Sequence, residues 1–255
     1  MTDNRVSVIR QLLHDVAGEG ERAKRYKNDG YKDENALTAE VLQGLDFLPR
    51  RHFLGEIIQQ SHSISDSANI AEIKSALAEQ SEDMELVFQP EGLPFRGDSR
   101  HQTEFVNPDG LFETKDVAYI LIEAKLKQGS FGSEQLAREY VVLMREARDR
   151  TPLLLLILGR GPLVRVEGHK DPQRIKESIE GGLKSVRSKV ECQYSFSELV
   201  DRVDRTVAWI TWKEITEIVC RQLDCFAAES SSTRAAVKRV ADSIVKAIEF
   251  DGQFV

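Results

Sequence analysis

The chain is poor in cysteine. It has three, Cys192, Cys220 and Cys225, with no Cys-x-x-Cys pair, which argues against a disulfide framework or a thiolate zinc site. Its histidines, His14, His52, His62, His101 and His169, are scattered, and none belongs to a His-Glu-x-x-His pattern that would hold zinc on a helix. Long apolar runs are missing too. Leu153 to Leu158 is the longest, far short of the ~18 residues that cross a bilayer. No apolar segment follows a basic start in Met1 to Arg10, so the expectation is a cytoplasmic protein with no membrane partner. There is no excess of positive charge: the net charge is −7, which argues against a polycationic coat for nucleic acid. Gly159-Arg160-Gly161 lacks the remainder of a phosphate-binding P-loop, which removes ATP as an expected ligand.

The acidity is unevenly spread. Residues 1–159 sum to −8, residues 160–190 to +4 and residues 191–255 to −3. The basic stretch carries Arg160, Arg165, Lys170, Arg174, Lys176, Lys184, Arg187 and Lys189. It either tracks phosphates or forms a solvated helix face and loop.

Hydrophobic spacing predicts the elements. Helices are expected within residues 5–30, from a cap at Asn35 to Pro49, over 51–60 and over 67–80. Residues 84–89 and 117–126 read as strands, and Pro90 to Arg100 as a loop. A helix over 133–146 precedes a strand at 153–158, whose continuous apolar character suits burial on both faces. Asp171-Pro172 is expected to open a helix. A strand at 207–211 and helices over 212–223 and 232–250 complete the chain. The fold class is therefore mixed α/β, a central sheet flanked by helices. Three parts are expected: a helical region 1–82 that lends a helix to the core, a core over 83–211, and C-terminal helices over 212–255 packed on it.

Residues 118–126 carry the chemical signal. Alternation places Ala118, Ile120, Ile122, Ala124 and Leu126 on one face and Tyr119, Leu121, Glu123 and Lys125 on the other. Two opposite charges thus sit side by side at the end of a strand that otherwise looks buried. Burying a charge without a partner costs several kcal/mol. Upstream lies Asp109, in Pro108-Asp109-Gly110, with room for a strand and a turn before Glu123. A hairpin there would bring Asp109 and Glu123 together across neighbouring strands. Paired carboxylates repel unless a cation lies between them. Mg²⁺ suits one or two carboxylates, with phosphate and water completing its octahedron.

Pro108-Asp109, a gap, then Glu123-Ala124-Lys125 resembles the signature of the PD-(D/E)XK nuclease superfamily. The order of strand, helix and strand over about 104–160 is similar to that family's core. The resemblance implies a restriction-endonuclease-like fold and a Mg²⁺-dependent nuclease acting on DNA, with Mn²⁺ able to substitute. It suggests restriction or phage defence as a setting. It implies Asp109, Glu123 and the Ala124 carbonyl as metal ligands and Lys125 as a catalytic partner. A glutamate on a preceding helix is expected to join the metal site. Glu40, bordering the apolar face of its helix, is the candidate, with Glu56 as the alternative. Gln135, on the following helix, is expected to touch the lysine or the substrate backbone. In one exonuclease-like branch a tyrosine follows this glutamine by four residues, whereas Tyr140 follows it by five.

Weaker signals flank this set. Arg96, Arg100 and His101 lie in a polar loop that could enter a DNA groove. Trp209 and Trp212 could stack on unpaired bases, or serve packing alone. Two other readings stand beside the DNA nuclease: a ribonuclease with the same core, and a non-catalytic module that binds nucleic acid or protein. A homodimer or a protein partner is the further expectation.

Overall fold

The computed structural model describes residues 32–65, 69–88, 93–96, 104–126, 129–190 and 192–252. The helices expected within residues 5–30 lie outside the described residues, as do Arg100, His101 and the Arg96 side chain. The elements run α1 (Lys32–Phe47), α2 (Leu54–Gln60), β1 (His62–Ser63), α3 (Asn69–Gln80), β2 (Glu85–Phe88), β3 (Leu93–Arg96), β4 (Glu104–Val106), β5 (Gly110–Glu113) and β6 (Ala118–Lys125). Then follow α4 (Gln135–Ala147), β7 (Thr151–Leu158), β8 (Leu163–Val164), β9 (Gln173–Arg174), α5 (Ile175–Val186), α6 (Phe196–Thr206), β10 (Val207–Thr211), α7 (Trp212–Cys225) and α8 (Ser231–Gly252).

The fold is mixed α/β. Six strands form one sheet in the order β1-β10-β7-β6-β5-β2. β10, β7 and β6 are parallel, while β5 and β2 run antiparallel beyond β6. The parallel strands are Leu-, Ile- and Val-rich because helices cover both of their faces. Alternation sorts their side chains. Ala118, Ile120, Ile122 and Ala124 of β6 join Leu153, Leu155 and Ile157 of β7 in a core with α1, α2, α3, α7 and α8. Tyr119 and Leu121 join Leu154, Leu156 and Leu158 in a second core with α4, α5 and α6. Helices of the first third and of the C-terminal end thus share one core with the sheet. No described helix is long and apolar enough to cross a membrane.

The hairpin between Asp109 and Glu123 is present. Gly110 pairs with Ile122 and Glu113 with Tyr119, and Thr114 closes the turn by accepting N–H bonds from Val117 and Ala118. Three local expectations need correction. Asn35 lies inside α1, which begins at Lys32. Asp171-Pro172 does not open a helix: Gln173 and Arg174 pair with Val164 and Leu163 first, and α5 starts at Ile175. The stretch read as a loop over 90–100 contains β3, paired with β4. Helix α6 was not anticipated, although Ser195 and Glu198 form a reciprocal capping box at its start, a pattern readable in the sequence.

α5 carries two adjacent glycines with opposite surroundings. A Cβ at Gly182 would lie 2.7 Å from the Ala137 methyl of α4, whereas a Cβ at Gly181 meets nothing within 4 Å. Alanine gains up to ~1 kcal/mol over glycine inside a helix, but overpacking a core costs ~1–3 kcal/mol. Gly181→Ala should therefore raise the midpoint of urea unfolding and Gly182→Ala should lower it. Equal shifts from the two variants would refute the close α4–α5 approach.

Candidate metal-assisted active site

β6 ends in two charges because its last turn of sequence leaves the apolar alternation on one face only. Glu123 is 2% exposed and Lys125 8%, so each needs partners. The Lys125 ammonium donates to Glu123 Oε1 at 2.7 Å, to Glu34 Oε1 at 3.1 Å and to the Ala124 carbonyl at 3.0 Å. Glu34, from the first turn of α1, also accepts the Leu126 N–H through Oε2 at 2.7 Å. The Phe131 ring lies 5.5 Å from Lys125 Nζ. Trp212 Nε1–H and the Gly159 N–H both donate to the Lys125 carbonyl, at 3.3 and 2.8 Å.

Asp109 arrives from the neighbouring strand. Its N–H donates to the Ile122 carbonyl at 3.0 Å, and its Oδ2 accepts the Ala124 N–H at 2.8 Å. Gln135, the first residue of α4, donates through Nε2 to Glu123 Oε1 at 2.6 Å and to Glu139 Oε1 at 2.9 Å. Glu139 is 2% exposed, and its other oxygen, Oε2, is buried without a hydrogen-bond partner. Gln135 and Glu139 line an open cleft of about 380 Å³ with Val106, Asn107 and Arg138.

The electrostatics are lopsided. Around the single ammonium of Lys125 stand the carboxyls of Glu34, Asp109, Glu123 and Glu139. Burial, opposed by Lys125 and the Ala124 N–H, pushes Asp109 up to about 6. Burial pushes Glu139 up to about 7. Burial also holds Glu123 well above the usual carboxylate range, with repulsion from Glu139 and Asp109 outweighing the attraction of Lys125. Burial alone would lower Lys125, but Glu123 and Glu34 reverse that and raise it. The cluster is short of positive charge.

The donors present are hard carboxylate and carbonyl oxygens, the type that magnesium takes. Among the described residues, no group of three or more His, Cys, Asp or Glu side chains forms a ready-made metal cage. Mg²⁺ needs none, since it keeps several waters and takes one or two carboxylates. Asp109, Glu123 and the Ala124 carbonyl offer hard oxygens, and the repelling carboxyls and orphaned Glu139 oxygen favour an added cation.

The structure brings together Asp109, Glu123 and Lys125, whose spacing suggested it, and Gln135, which the resemblance had suggested. It does not bring Glu40 to them. Six residues further along α1 is ~9 Å of helix rise, and there Glu40 accepts a bond from Ser243 of α8 at 3.2 Å. The glutamate of α1 that reaches the cluster is Glu34, bonded to Lys125 and the Leu126 N–H. It lies on the same helical stripe as Leu37, Val41 and Leu45, a signal that could have found it. Glu56 is also elsewhere, bonded to Gln60 and Gln222. Gln135 touches the site glutamate rather than the lysine. Glu139 was missed, although it stands one helical turn from Gln135. Tyr140 is buried away from the site, donating to the Leu199 carbonyl at 2.7 Å. Trp212 is buried, and Trp209 stacks on His62 at 4.3 Å.

No protein-family model, no curated protein and no solved structure matches the chain.

The raised carboxyls set a pH dependence. Asp109 and Glu139 ionise near pH 6 and 7 when folded, and near 4 when unfolded. Between these values the folded state holds more protons, so stability falls as pH rises. In metal-free buffer the melting temperature should drop by several degrees from about pH 4.5 to 8, and Glu139→Gln should flatten the upper part of that fall. A melting temperature that stays level or rises over this range would contradict the buried cluster.

Proposed function

We propose that the protein is a Mg²⁺-dependent nuclease of restriction-endonuclease-like build that hydrolyses DNA phosphodiester bonds. The observation that carries this reading is the convergence of Asp109, Glu123 and Lys125 at the end of β6, beside an open cleft. Asp109, Glu123 and the Ala124 carbonyl would hold the ion. When bound, it supplies Lewis acidity toward a phosphate oxygen and lowers the pKa of a water.

The protein's own groups divide the remaining work. Lys125 is held protonated by Glu123 and Glu34, so it acts as a charged donor that orients the attacking water or steadies charge on phosphorus. It is not the base. Glu34 fixes that ammonium and, through Leu126, the end of the strand. Gln135 fixes the Glu123 carboxyl from the cleft side. The hydrogen bond from Ala124 ties Asp109 to the same backbone, so its position follows the strand register. A restriction or phage-defence role agrees with this chemistry, which acts on the phosphate and leaves target choice to other surfaces.

Labelled duplex DNA, single-stranded DNA and RNA, each incubated with the protein and Mg²⁺ or with EDTA, provide the test. The expected result is Mg²⁺-dependent cutting of DNA that falls at least ~100-fold in Asp109→Asn, Glu123→Gln and Lys125→Met, amounts common for removal of a catalytic charge. Glu40→Gln should cut like the parent protein, and Glu34→Gln should lose activity. Cleavage of RNA alone would reassign the substrate. Cutting that survives all three site variants would refute the proposal.

A further inference from the structure

The basic stretch noted in the sequence divides in the structure. Three of its eight cations are committed to the fold. Lys176 pairs with Asp204 at 2.6 Å, and Lys189 with Glu134 at 3.1 Å. Arg187 donates to the carbonyls of Val190, Tyr194 and Cys192. Arg160, Arg165, Lys170 and Arg174 are different. All four are exposed, and among the described residues none has a side-chain hydrogen bond or ion pair. Glu167 and Asp171 share their loop, which leaves residues 160–174 at a net +2 in a chain of −7.

This loop is fastened to the candidate site. It begins at the end of β7, where the Gly159 N–H donates to the Lys125 carbonyl at 2.8 Å. Further on, the Phe131 N–H donates to the Arg165 carbonyl at 2.8 Å and the Glu167 N–H to the Phe131 carbonyl at 2.9 Å. Phe131 is the ring beside Lys125. Residue 160 therefore follows directly on a backbone contact to the site, and residue 165 is bonded to the site's aromatic wall. The β8–β9 pairing, Leu163 with Arg174, holds the loop as a hairpin rather than a free strap.

We infer that residues 159–174 form a phosphate-binding arm that holds the nucleic-acid strand on either side of the cleaved bond. The physical need is clear. A polyanion approaching a cluster of four carboxyls is repelled by it, and one ion cannot offset the charge of the flanking phosphates. Exposed, unpaired arginines and a lysine in the loop fastened to the site supply that attraction, and arginine forks match phosphate oxygens. Neighbouring phosphates demand several spaced cations, so the arm selects a strand over a mononucleotide. The inference deepens the nuclease reading and rests on its choice of polyanion, but not on the hydrolytic step.

The test is binding without cleavage. The full chain in EDTA is titrated into a fluorescent DNA duplex at salt concentrations from about 50 to 200 mM. Replacing Arg160, Arg165, Lys170 and Arg174 together with alanine should weaken binding at least ~10-fold at the low-salt end. Each lost phosphate contact should make the slope of log K against log salt shallower by ~0.9. A charge-matched control, alanine at Lys213, Lys238, Arg239 and Lys246, should change neither quantity. If the fourfold variant melts earlier than the parent, Arg160→Ala with Lys170→Ala should still shift the slope. Parental affinity and slope in the arm variants would overturn the inference and leave the nuclease proposal standing. An equal loss in the control would also overturn it, because net charge alone would then explain binding. Arm-dependent binding by a chain that never cuts would keep the arm and remove the nuclease.

Discussion

A lysine ammonium is buried between two carboxylates at the end of a strand covered on both faces. β6 lies in the middle of the sheet, and its side chains have no route to water until the strand ends. A charge there must be partnered, since breaking a buried pair costs ~3–5 kcal/mol. That requirement reaches outward. It draws Glu34 and the start of α1 onto the strand end, and it ties Gln135 to Glu123. Removing Lys125 would leave Glu123 and Glu34 facing each other with no cation.

The site sits where the parallel strands give way to the antiparallel β5. This is a useful place for chemistry, because loops from opposite directions meet there. β5 delivers Asp109 from one side, and β7 delivers Gly159 and the arm from the other. The carboxyls outnumber the ammonium, so the cluster is poised to take up positive charge. On the nuclease proposal an anionic substrate would need that charge as well, and the proposed arm of residues 159–174 would supply it.

Much of this was readable in one dimension. The alternation of residues 118–126 named both faces of β6, and the uninterrupted apolar run of 153–158 named a doubly covered strand. Pro108-Asp109-Gly110 and the spacing to Glu123 allowed a hairpin that the structure contains. Those readings are local: they depend on side-chain period and on turn residues. Some local readings of helix starts also failed, such as the Asn35 cap and Asp171-Pro172, but the misreading that bears on the site concerns partners distant in sequence. Glu40 and Glu34 both lie on α1 next to apolar positions, and their spacing alone does not say which end of the helix meets β6. The α8 residue Ser243 takes Glu40, and the helix N-terminus meets the site instead. The short strands β8 and β9 carry no period of their own and exist only as a pair.

The sequence by itself determined the strand faces, the hairpin beneath Asp109 and the presence of charges that would have to be buried. These follow from period-two geometry and from the cost of desolvating a charge, and neither depends on the rest of the chain. Tertiary structure decided which glutamate answers Lys125, that Glu139 joins the cluster, and which cations of the basic stretch stay free. Each of those outcomes depends on how close two elements approach in space, and helix direction, loop path and competing partners set that distance.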